Sequence, residues 1–112
     1  MNGKIIPSEL INRKCDDNKQ PISFEYCLIV EDEHGNPINI PIRYTRMSEL
    51  IWQVEMVYGY QVYRLDYNIP KRDLDLVMVA AFGLRSIQYQ LQSEVQMKSI
   101  IDFTIGDCIK DM

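Results

Sequence analysis

Glycine is scarce in this chain. Its five glycines stand singly among 112 residues, so there is no glycine-rich loop whose backbone could cradle a phosphate. Histidine is scarcer, with His34 alone. It sits beside Glu31, Asp32 and Glu33, in an order that matches no calcium loop and no zinc spacing. A general base needs a pocket and an orienting partner. A turn between two strands supplies neither, so this segment reads as a solvated turn. The cysteines, Cys15, Cys27 and Cys108, are odd in number and far apart. That argues against a disulfide framework and a tetrahedral metal site, and for reduced thiols. No serine or cysteine lies in a nucleophile-elbow context. No apolar run approaches the roughly 20 residues that cross a bilayer. Met1 to Leu10 carries one lysine and no long apolar stretch, which is not the pattern of a secretory leader. These absences lead us to expect no metal, no cofactor, no membrane span and no enzyme activity.

What is present is alternation. From Ile22 to Tyr58 the apolar residues recur every second position. Ile22, Phe24, Tyr26, Leu28 and Val30 are followed by Ile38, Ile40, Ile42 and Tyr44, then by Leu50, Trp52, Val54, Met56 and Tyr58. A period of two puts each set on one face of a sheet. The other phase mixes Glu25, Cys27, Ile29, Arg43, Glu55 and Val57, as expected of an antiparallel meander with one covered face. Gly35 and Asn36 suit a hairpin turn. Pro37 and Pro41 lack an N–H, which predicts a free edge or a bulge for their strand. A further strand over Tyr60 to Asn68 puts Tyr63, Leu65 and Tyr67 on one side.

After Pro70 the period changes. Leu74, Val77, Met78, Ala81, Leu84, Ile87, Leu91 and Val95 recur at spacings of three and four, which predicts one amphipathic helix. Pro70 is tolerated at a first helical turn, and Asp73 and Asp75 suit the helix dipole there. Gly83 either weakens this helix or lets it approach the sheet closely. Ser99 to Ile105 reads as one more short strand, and residues 106–112 as a tail. Upstream, Pro7 to Ile11 fits a short helix capped by Ser8 or an extended arm. The polar stretch from Lys14 to Pro21 precedes the first strand of the meander. The expected architecture is a single α+β domain over residues 1–112. It has an antiparallel β-meander of four or five strands with one long α-helix packed on one face.

The formal net charge is −4, and residues 22–68 carry three basic against seven acidic side chains. An acidic sheet disfavours direct nucleic-acid binding and suits a basic protein partner. Glu25 and Glu55 share a phase with Arg43, which favours an ion-pair ladder over paired catalytic carboxylates. Tyr44, Trp52, Tyr58, Tyr60, Tyr63 and Tyr67 fall within one short span. Tyrosine and tryptophan serve both strand packing and interface anchoring. Core packing is expected for Tyr44 and Trp52. Either role fits Tyr60 and Tyr63.

Residues 41–92, with Trp52 and the run Phe82-Gly83-Leu84-Arg85-Ser86-Ile87-Gln88, resemble a small uncharacterised bacterial domain family. That family has a β-meander, a tryptophan-bearing strand and a helix with an aromatic-Gly-x-x-Ser-Leu/Ile-Gln motif. The chain departs from it in a longer tyrosine-rich strand and in Arg85, where an acid is expected. By size, charge and architecture the chain also resembles bacterial toxin-immunity proteins. The second resemblance implies a cytoplasmic inhibitor that occludes a basic toxin or nuclease. In that role Glu25, Glu31, Asp32, Glu33 and Glu55 would steer the partner, and Tyr60 and Tyr63 would anchor it. A homo-oligomeric module, a homodimer included, and a mobile-element mimic of nucleic acid stay open as alternatives.

Overall fold

A computed structural model of the protein describes residues 5–31, 33–58 and 61–90. After a short 3-10 turn at Pro7–Glu9 come five strands: β1 Ile11–Cys15, β2 Pro21–Glu31, β3 Pro37–Arg46, β4 Ile51–Tyr58 and β5 Gln61–Asn68. One helix follows, α1 Leu76–Gln90. The strands form a single antiparallel sheet in the order β1-β2-β3-β4-β5. This is the α+β meander with a packed helix that the alternation predicts. The segment around residues 99–105, read as a strand, lies outside the described residues, as does Cys108. The fifth strand is β1, whose sequence carries no clean alternation.

The phase reading holds through the register. Phe24 pairs with Tyr44 and Tyr44 with Val54, while Trp52 pairs with Tyr67. All of these are buried, with Ile40, Ile42 and Met56. Phe24 stacks on Tyr44 with ring centroids 4.6 Å apart and tilts against Trp52 at 5.5 Å. Such aromatic pairs stabilise the core beyond their buried area. Leu50 departs from the expected set. It precedes β4 at the end of the bend over residues 48–50 and is exposed, although its backbone carbonyl still accepts the Ile69 N–H at 2.9 Å.

Among the described residues, the prolines of β3 sit where one side of that strand is unpaired. β3 bonds β2 along its length, from Thr45 to Pro37, but pairs with β4 only over Ile42–Arg46. Pro37 and Pro41 occupy the remaining stretch, where a missing N–H breaks no ladder on the β4 side. At the N-terminus the short helical turn occurs, over Pro7–Glu9, and Ile11–Cys15 then pairs as a strand where the sequence pattern predicts only an arm running into a polar stretch. The turn's N-cap is Ile6 with Pro7 following, and not Ser8. The polar stretch after β1 is organised by Asp16, whose Oδ1 accepts the Asn18 and Gln20 N–H groups at 2.9 Å each. Asp16 also lies 3.6 Å from the Arg46 guanidinium.

The helix starts later than the spacing after Pro70 predicts. Pro70 to Asp75 is turn and irregular chain. Asp75 ends it as the N-cap residue. Its Oδ1 accepts the Val77 N–H at 2.9 Å, and its carbonyl accepts the Val79 N–H at 3.0 Å. That side-chain bond satisfies a donor with no helical partner. Ile69, before the proline, stays extended in line with β5, as residues preceding proline prefer. The helix packs on β4 and β5 and buries Val79, Ala80, Ala81, Leu84 and Ile87. Two tyrosines fasten it. Tyr44 Oη donates to the Ala80 carbonyl at 2.9 Å, and Tyr67 Oη to the Val79 carbonyl at 2.8 Å. Burial pushes the Tyr67 phenol far above its ordinary pKa. One turn on, Gly83 passes the same rings. A Cβ there would stand 2.6 Å from Tyr44 Cε1 and 3.0 Å from Tyr67 Cζ. Of the two readings of Gly83, close approach is therefore the one the fold uses.

Candidate interaction surface

The sheet face opposite the helix is the site on which the predicted residues can be placed. Alternation along β2, β3 and β4 sends their odd residues to this face, and the register adds the even residues of β5. One row crosses the whole sheet: Ile11, Glu25, Arg43, Glu55 and Arg64. The signs alternate along it. Arg43 Nη2 lies 3.6 Å from Glu25 Oε1, and Arg64 reaches Glu55 Oε2 through Nε at 2.9 Å and Nη2 at 2.5 Å. The Asn12 side-chain amide also donates to Glu25. This is the ion-pair ladder that the shared phase of Glu25, Arg43 and Glu55 predicts. Both carboxylates are already matched by guanidinium groups, which leaves them little unbalanced charge for a distant partner.

On one side of that row the face is polar, with Ser23, Thr45, Gln53 and Asp66 in register. On the other side it turns apolar. Cys27 pairs with Pro41, and Val57 with Val62. The two pairs stand level, since Ile42 faces Met56 one step along. Ile29 lies beyond Cys27 on β2. Ile29 is 55% exposed and Val62 57%, with Val57 at 38%. Cys27 is exposed and free. Large apolar side chains on an otherwise polar sheet face are the informative exception on a protein surface.

Glu31 follows Ile29 two residues along β2, at the end of this strip. Glu31 closes the ladder opposite Pro37, and Glu33 is exposed next to His34. Gly35 takes a φ of +80° in that turn, a conformation that glycine adopts without strain. His34 Nε2 lies 3.8 Å from Glu33 Oε1, with both side chains largely exposed. Asp32 and Tyr60 lie outside the described residues. Tyr63 does not belong to this face. It pairs with the buried Met56, packs half-buried against the core, and donates its hydroxyl to Gln61 Oε1 at 2.6 Å. The residues expected to steer and to anchor a partner therefore do not share one face. Glu25 and Glu55 stand on one side of the sheet and Tyr63 on the helix side. A half-turn between successive residues of β5 separates Tyr63 from its outward neighbours Val62 and Arg64.

Two parts of the surface carried no clear signal in the sequence. The apolar strip is legible only as Cys27, Ile29 and Val57 in the mixed phase, and their lateral alignment depends on register. The other part is basic. Arg13, Lys14 and Arg43 line a broad depression of about 640 Å³ at the β1 end, with Asn12 and Glu25. Arg13 is turned into the chain, its guanidinium donating to the carbonyls of Leu10 and Pro7. Among the described residues no group of three or more His, Cys, Asp and Glu side chains could hold a metal ion. Among the same residues no helix is long and apolar enough to cross a membrane.

No family model, curated protein or solved structure matches this chain.

Proposed function

We propose that this is a small acidic binding protein of the immunity type, acting in the cytoplasm to occlude a basic toxin or nuclease. The reading is one of binding and not of catalysis. One observation carries it: the apolar strip of Cys27, Ile29, Val57 and Val62 lies open on the sheet face, with Glu31 two residues beyond Ile29 at the end of β2 and Glu33 exposed in the turn that follows. Desolvating such a strip supplies binding energy, and acids at its margin steer a cationic partner onto it. The paired state of Glu25 and Glu55 favours a scaffold role for them in this reading, which leaves steering to Glu31, Asp32 and Glu33. The same pairing weighs against mimicry of nucleic acid, which needs an unbroken row of negative charge.

The test is co-expression with the product of the neighbouring gene, followed by binding kinetics against that product. Rescue of growth by the wild-type chain, lost on Ile29→Glu or Val62→Glu with the fold intact, is the expected outcome. Binding that is unchanged in both variants removes the strip from the mechanism. Absence of any rescue and any binding removes the inhibitor reading.

A further inference from the structure

The two edges of the sheet are built differently. β1 is five residues long, its pairing with β2 shifts register on both sides of Lys14, and Asn12 has a φ of 53°. A short, irregular, basic strand is a poor template for further pairing. β5 has eight residues in unbroken register with β4 from Asn68 to Gln61, and contains no proline. Among the described residues no strand pairs with its outer side.

The direction of its backbone groups follows from one bond. Ile69 donates to Leu50, its partner in the continued β5–β4 register, at 2.9 Å. Hydrogen-bonded pairs alternate along an antiparallel ladder. Gln61, Tyr63, Leu65 and Tyr67 therefore turn their N–H and C=O groups to β4. Val62, Arg64, Asp66 and Asn68 turn theirs to the open edge. A second β5 running antiparallel must match even residues with even residues, which restricts the register to steps of two. Centred on Leu65, Arg64 of each copy faces Asp66 of the other, twice over, and Val62 faces Asn68. A step one way sets Arg64 against Arg64. A step the other way sets Asp66 against Asp66. Like charges directly opposite are destabilising and opposite ones stabilising. The edge is thus self-complementary in one register and repulsive in its two neighbours. On the helix side the same register brings the half-buried Leu65 of both copies together at the two-fold axis, and Tyr63 against Tyr67.

We propose that β5 pairs with β5 of a second copy, in the register centred on Leu65, to give a continuous ten-stranded sheet. The apolar strips of both copies then lie on one face of that sheet. This inference is independent of the inhibitor reading, since an occluding protein works as monomer or dimer.

Sedimentation velocity and light scattering of the full chain across the micromolar to millimolar range test it, with circular dichroism to confirm folding. The wild type should reach twice the monomer mass of 13.2 kDa. Arg64→Glu gives a copy with acids at both positions, and Asp66→Arg a copy with two cations. Each alone should weaken dimerisation by roughly tenfold or more. Mixed in equal amounts, they restore both opposite-charge pairs and should form a heterodimer. A wild type that stays monomeric throughout overturns the proposal. So does wild-type dimerisation by either variant alone, or a mixture that stays monomeric.

Discussion

Gly83, Tyr44 and Tyr67 act together at the place where the helix meets the sheet. In an unconstrained helix Gly→Ala is favourable by about 1 kcal/mol. Here the added methyl would stand 2.6 Å from a ring carbon of Tyr44, which is itself fully buried. Overpacking of this kind costs about 1–3 kcal/mol, so Gly83→Ala should lower stability in urea denaturation, against the helix-propensity trend. Trp52 is buried against Phe24. Its emission should be blue-shifted in the native protein and move to the red on unfolding, and Trp52→Ala should cost about 3–5 kcal/mol. Tyr67 makes stability depend on alkaline pH. Its ionisation is suppressed by burial in the folded state, whereas the unfolded phenol ionises near pH 10. The group's contribution is therefore complete below about pH 10 and falls as pH rises above it, because the unfolded chain releases the proton more readily. Tyr67→Phe should flatten that part of the stability–pH curve, while losing about 1 kcal/mol at neutral pH with the bond to Val79.

At the scale of elements, the start of α1 and the ladder on the outer face each depend on short polar contacts. Asp75 accepts the Val77 N–H and so stands where the turn after Pro70 becomes helix. Asp75→Ala should cost about 1 kcal/mol, and Asp75→Asn much less, since Asn caps nearly as well. Asp73→Ala should have little effect by the same thermal-melting measurement. The Arg64–Glu55 pair is half exposed on the arginine side. A double-mutant cycle to alanine should give a coupling of about 0.2–1 kcal/mol, reduced by salt.

For the whole molecule the predictions concern charge and encounter. Glu31 and Glu33 at the β2–β3 end are exposed and stand apart from the Arg43 and Arg64 pairings. Exposed charges chiefly set association rates and are screened by salt. Neutralising Glu31, Asp32 and Glu33 together should slow binding to a basic partner at low ionic strength and change little at high salt. Substitution within the apolar strip should instead speed dissociation, since desolvated apolar contacts set residence time. Equal effects of both sets on the association rate would remove this division of roles.

Much of the architecture was legible in the chain because a sheet buries side chains with a fixed period of two. Phe24, Tyr44, Trp52, Val54 and Met56 all declare the covered face, and all are buried. The ion-pair row was legible for the same reason, since parity alone puts Glu25, Arg43 and Glu55 on one side. The existence of a helix followed equally from its spacing, but its start did not. Pro70 is compatible with a first turn, yet the bond from Val77 to Asp75 decides the boundary, and local competition of this kind leaves only a weak trace in composition. β1 escaped notice because a five-residue exposed strand shows no alternation. Parity could not say which strand lies beside which, or at what offset. Only the tertiary register aligned Cys27 with Pro41 and Val57 with Val62 into one strip. The tertiary fold also turned Tyr63 toward the helix and left the even residues of β5 facing outward. Side-chain period is a local property of the backbone, whereas lateral order and open edges arise from pairing between distant segments.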